Sequence, residues 1–256
     1  MTAHIQAIRD NATHSEMAES GWRSIYWLGG AAALLIVLTA LAEILITFLP
    51  GGYASAETVT EWFALLQNHP FLGVRNLGLL NIVMTALGIP MTFALFWSHR
   101  KTNPSSAALA LILSFIGVAI FYATNRAFPM LALSAQYSAA ADAQKPVLEA
   151  AGKAMLAIGQ SHTPGTFLAF FYSEIAGILM SVVILRGKRI QPAAAVTGII
   201  GYSFLLIFEI LASFVPAARN AAMIPAMVGG LSNIAWYTLV ALGLYRLGQS
   251  EQDGAK

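Results

Sequence analysis

Two glutamates stand where carboxylates are expensive. Glu43 lies in Ala42-Glu43-Ile44-Leu45-Ile46-Thr47-Phe48-Leu49-Pro50 and Glu209 in Phe208-Glu209-Ile210-Leu211-Ala212-Ser213-Phe214-Val215-Pro216, each seven residues before a proline and inside a long apolar run. A charged side chain at membrane depth has to face a partner, a ligand or water. Two carboxylates at matched depth therefore point to a shared polar site. The other ionisable and amide groups within apolar runs are Arg75, Asn76, Asn81, Asn125, Arg126, Glu174 and Asn233. Together they could build an outward-facing cavity for a small or lipid-like ligand. In that reading Glu43, Glu174 and Glu209 supply charge and Arg75 and Arg126 balance it, while Asn81, Asn125 and Asn233 orient the ligand.

Two other chemistries compete. His69 and His162 flank the apolar runs and could join the glutamates as nitrogen and oxygen ligands of a metal-dependent hydrolase. Neither histidine sits in a ligand-spacing motif, and His-x-x-x-His is absent. The third reading is a scaffold or accessory subunit, whose buried polar groups only bond helices together. No Gly-x-Gly-x-x-Gly, phosphate loop or Gly-x-Ser-x-Gly elbow occurs, so neither a cofactor nor a nucleophile is named by motif. The absence of cysteine removes disulfides, thiolate metal sites and cysteine nucleophiles.

The elements that must position these groups are membrane spans. Of 256 residues, 57% are hydrophobic and 10% charged, with a mean hydropathy of +0.68; a soluble domain carries roughly 25% charged residues. A formal net charge of +2 is too small to argue for nucleic acid. The fold class expected is an all-α polytopic bundle of six transmembrane helices, over about 24–49, 70–98, 105–130, 165–185, 192–215 and 222–247. Polar tails over 1–22 and 249–256 flank it. Each run holds roughly 20 residues or more, enough to cross the bilayer core. The first is too long for a secretory signal, although Ala54-Ser55-Ala56 resembles a cleavage site. Gly51-Gly52 is expected to break the helix after Pro50.

Between the first and second runs, Thr58-x-x-Glu61 reads as a capping box, and Val59, Trp62, Phe63 and Leu66 share one helical face. Between the third and fourth, Leu148, Ala151, Met155 and Ile158 form one face and Lys145, Glu149 and Lys153 another. Two amphipathic helices are expected there, on the outer face. Arg23, His99-Arg100-Lys101, Arg186-Lys188-Arg189 and Arg246 fall on one side; Glu57, Glu61, Asp142, Lys145, Glu149, Lys153 and Arg219 fall on the other, which has no basic excess. The positive-inside rule then places both termini in the cytoplasm and the chain in the cell (inner) membrane. Its expected partners are the lipid bilayer, a small-molecule or lipid ligand, and another membrane protein or a second copy.

The stretches around Glu43 and Glu209 also hint at internal repetition. Outgoing runs carry a polar group shortly before a proline: Glu43 before Pro50, Asn125-Arg126 before Pro129, Glu209 before Pro216. Returning runs carry Asn81, Glu174 or Asn233 at corresponding depth. This is the pattern of three parallel helix hairpins.

The stretch Phe121-Tyr122-Ala123-Thr124-Asn125-Arg126-Ala127-Phe128-Pro129-Met130-Leu131-Ala132-Leu133-Ser134-Ala135-Gln136-Tyr137, with the alanine-rich helix over 147–158, resembles a family of bacterial and archaeal six-span membrane proteins known only as a domain of unknown function. The resemblance covers most of residues 22–247. It implies six-span topology and carries no activity. Arg126 and Pro129 depart from the family's pattern.

Overall fold

Long apolar runs without strand alternation can satisfy their backbone in a membrane only as helices, and the computed structural model is helical throughout its regular elements. It describes residues 2–49 and 56–253. The expected break at Gly51-Gly52 lies outside the described residues, as does the cleavage-like stretch apart from Ala56. The elements are α1 (Thr2–Phe48), α2 (Val59–Asn68), α3 (Pro70–Asn76), α4 (Leu79–His99), α5 (Pro104–Thr124), α6 (Ala127–Ala139), α7 (Lys145–Gly159), α8 (Phe167–Gly187), α9 (Pro192–Phe214) and α10 (Arg219–Asp253), with a 3-10 turn at Pro216–Ala218. Six stretches are long and apolar enough to cross a membrane: the Trp22–Phe48 part of α1, α4, Pro104–Ala139 over α5 and α6, α8, α9 and the Asn220–Ser250 part of α10.

These six form a ring in chain order. α1 packs on α4, α4 on α5, α5 on α8, α8 on α9, α9 on α10, and α10 closes on α1. Their shared core holds Tyr26, Ile36, Leu95, Met180, Ile184, Trp236 and Leu244, all nearly or fully buried. Small residues set the spacing: a Cβ on Gly177 or Gly29 would strike the Tyr202 ring or the Ala94 methyl, so these glycines let neighbouring helices close up. The outward faces carry Leu45, Phe48, Ile224 and Leu231, each more than 60% exposed, the surface that hydrocarbon chains would cover.

A second core sits beside the ring on the side where α1 ends. Val59, Trp62, Phe63 and Leu66 of α2 pack with Val74, Leu77, Ala127 and Met130, and Met155 and Leu156 of α7 lie against them. The capping box is present: the Glu61 carboxylate accepts from Thr58 N–H at 3.1 Å and Thr58 Oγ1 from Glu61 N–H at 3.3 Å. These backbone bonds, from Glu57 and Thr58, hold the Glu61 carboxyl below its usual range. The predicted amphipathic helix α2 thus buries its apolar face in a cap with α3, α6 and α7, whereas α7 packs there through Gly152, Met155 and Leu156 and leaves Ile158 of its predicted face 41% exposed.

Two expected spans have different limits. Residues 70–98 divide at Leu77-Gly78, where Gly78 takes φ +95°, a conformation glycine adopts without steric cost. Only α4 crosses. The third apolar run is interrupted at Asn125-Arg126, after which α6 packs against α2, α3 and α7 in the cap. At 21 residues, α5 alone is ~32 Å long, enough for the bilayer core.

Candidate functional site

Most of the polar groups predicted inside the spans lie toward the cap end, in distinct neighbourhoods, whereas Asn233, against Gly201, sits nearer the bundle centre. The first joins α1 to α3. Arg75, only 3% exposed, meets Glu43 through Nη2 at 2.6 Å from Oε1 and Nε at 3.2 Å from Oε2. It also donates to the Glu43 carbonyl at 3.0 Å, to Asn76 Oδ1 at 3.1 Å and to Thr47 Oγ1. A guanidinium with this many acceptors is fully engaged. Glu43 itself remains 38% exposed.

The second neighbourhood builds the joint between α5 and α6. Asn125 donates from Nδ2 to the Leu77 carbonyl at 3.1 Å and accepts at Oδ1 from Ala127 N–H, also at 3.1 Å. It therefore caps α6 and ties that joint to the α3–α4 joint. Arg126 donates to the carbonyls of Ala123 (2.7 Å) and Asn125 (3.1 Å), satisfying orphan acceptors at the end of α5. Asn81 lies half-buried in the first turn of α4, beside Gly78.

The third neighbourhood lies between α8, α9 and the 160–166 segment. Glu209 is fully buried. Its Oε2 is 2.7 Å from His162 Nδ1, and its Oε1 accepts from Ser213 Oγ at 3.2 Å. Such a carboxylate–imidazole contact needs one proton between the two atoms, and His162 can supply it. The histidine takes φ +58° and is clamped by Phe170, stacked at 4.8 Å, and Phe208, edge-on at 4.7 Å. Its side chain is 38% exposed, so one edge of this site reaches the surface.

Glu174 of α8 completes the group. It is 6% exposed, interacts electrostatically with Glu209, and has no hydrogen-bond partner at Oε2. Of the three predicted carboxylates it alone has no arginine, lysine or histidine within ion-pair distance among the described residues. Asn233 of α10 is 6% exposed with its Oδ1 equally unpartnered, pressed against Gly201. Ser161 Oγ is a third buried oxygen without a partner.

Further toward the bundle centre lies a cavity of about 30 Å³, lined by Thr92, Ser114, Ser173, Tyr202 and Trp236 together with apolar side chains. That volume holds about one or two waters. Trp236 Nε1 offers a donor without a partner, and Tyr202 and Tyr237 share a hydroxyl contact at 3.3 Å. Sequence reasoning passed over Ser161, Tyr202 and Tyr237, weighed Ser173 only as a nucleophile without a base, and read Trp236 as an interfacial aromatic, whereas it is buried in the ring core. A hydroxyl or indole in an apolar run carries no cost that would single it out.

The two histidines of the metal reading are separated in role. His69 is the exposed joint between α2 and α3, whereas His162 belongs to Glu209. Among the described residues no three His, Asp or Glu side chains converge as metal ligands. His99 is fully buried at the opposite end, with Nδ1 2.6 Å from Ser98 Oγ and 3.0 Å from the Leu95 carbonyl.

Compared with protein-family models, curated proteins and solved structures, the chain matches none.

Proposed function

We propose that this integral membrane protein binds, and carries across its bundle, a small ligand that is positively charged or donates hydrogen bonds, with Glu174 as its anchor. The observation that carries this reading is the Glu174 carboxylate: nearly buried, beside a second carboxylate, and without a partner at Oε2. Ionising a buried carboxyl that has no partner costs several kcal/mol, so its charged form calls for an occupant that supplies a cation or donors. Asn233 Oδ1 and Ser161 Oγ offer acceptors of the same kind. His162 and Glu209 form the side of the site that reaches the surface. The remaining predicted residues have other work: Glu43 with Arg75, and Asn125 with Arg126, hold the cap on the ring.

The test uses full-length protein in detergent or nanodiscs, with thermal unfolding followed across sodium, potassium, ammonium and small primary amines. A ligand at about 100 times its Kd stabilises by roughly 2.7 kcal/mol. The expected outcome is that at least one of these cations raises the unfolding temperature of the wild type and has no effect on Glu174→Gln. If every cation shifts both proteins equally, the reading fails.

A further inference from the structure

At the end of the ring opposite the cap, α1 and α10 leave an open groove. Trp27, Leu242, Tyr245, Arg246 and Gln249 line its roughly 490 Å³. Two glycines shape it. A Cβ on Gly30 would stand 3.0 Å from the Tyr245 ring, and one on Gly248 3.0 Å from Nε1 of Trp27. Their absence lets the two rings settle 5.2 Å apart at the helix surfaces. Arg246 is exposed and has no ion-pair or hydrogen-bond partner among the described residues.

The surroundings fit one kind of occupant. Helix direction places Arg23, Arg100, Arg186, Arg189 and Arg246 at this end of the bundle. Tryptophan and tyrosine at a span end sit at headgroup level. Beyond the groove, two apolar stripes run on into the membrane region. Trp27, Leu34, Leu38, Leu41 and Leu45 follow at helical spacing along α1, and Leu242, Leu231 and Ile224 along α10, all more than one-third exposed.

We propose that this groove binds an anionic phospholipid. Arg246 holds the phosphate, Trp27 and Tyr245 flank the glycerol region, and the acyl chains follow the two stripes. A guanidinium pairs with phosphate through parallel N–H bonds, and basic pockets between spans recognise lipid head groups in this way.

The experiment reconstitutes the full chain in nanodiscs of phosphatidylcholine and phosphatidylglycerol, extracts it into mild detergent, and counts retained lipids by native mass spectrometry. The wild type is expected to retain phosphatidylglycerol over phosphatidylcholine. Arg246→Gln should lower the retained fraction about fivefold, the weight of one basic residue at a membrane surface. Arg186→Gln, an exposed arginine elsewhere at the same end, should leave it unchanged. Leu242→Trp fills the groove without touching a charge and should also lower retention. It keeps the test decisive if Arg246→Gln fails to fold. Equal loss in Arg186→Gln, full retention in Arg246→Gln or Leu242→Trp, or release by millimolar inorganic phosphate alone would each overturn the assignment.

Discussion

Glu43 and Glu209 share a sequence context and end in different chemistry. Glu43 is partly exposed and serves Arg75, whereas Glu209 is buried and served by His162 and Ser213. Local sequence carries depth, because an apolar run with a charge seven residues before a proline can be counted. It does not carry partners, because Arg75 reaches Glu43 from α3 and His162 reaches Glu209 from the segment before α8. The Glu43–Arg75 contact is a two-point charge-assisted pair whose guanidinium is buried, so its members should be coupled. A double-mutant cycle with Glu43→Gln and Arg75→Met, read by chemical unfolding in mild detergent, should give an interaction energy of about 0.5–3 kcal/mol. Additive losses would mean that the pair is decorative.

Elements were read from periodicity and length, and those signals are strong where the bilayer imposes them. The six spans were legible for that reason, and the capping box at Thr58 and Glu61 and the apolar face of α2 from local spacing; of the face expected on α7, Met155 packs in the cap and Ile158 is exposed. The joints were not. Leu77-Gly78 and Asn125-Arg126 lie inside apolar runs that continue on both sides, so hydropathy alone passes through them. What breaks the helix at each is local: a glycine at φ +95° in one, and an asparagine whose side chain caps the next helix in the other. The consequence is that α2, α3, α6 and α7 sit together on one side with mixed charge (Glu57, Glu61, Asp142, Lys145, Glu149, Lys153), while Arg23, Arg100, Lys101, Arg186, Lys188, Arg189 and Arg246 give the other end a basic excess. We infer from this charge asymmetry that the cap faces outward and both termini lie in the cytoplasm. The chain has no cysteine, so single reporters are simple to place. Ser138→Cys, exposed in α6, should be labelled by an impermeant maleimide on intact cells, and Ser250→Cys, exposed near the end of α10, only after permeabilisation. The reverse pattern would invert the topology.

At the scale of the molecule, two cores divide the labour. The ring core is a closed apolar packing of six helices with small residues at its contacts, and the cap core is a separate cluster of amphipathic helices. Where they meet, the three joints bring together Gly78, Asn125 and Ser161, and Glu174 and Glu209 lie in the adjoining helices α8 and α9. This arrangement gives the bundle a capped polar end and a small central cavity, with the ring core continuing beyond it to the buried His99 and Ser98. The central claim is that Glu174 is where an occupant meets the membrane-embedded protein. Infrared difference spectroscopy of the full chain in nanodiscs, recorded on addition of the cation that stabilises it, reads that carboxyl directly. The account predicts a carboxyl band that appears with the cation, vanishes in Glu174→Gln and survives in Glu43→Gln. A carboxyl band that persists in Glu174→Gln would contradict it.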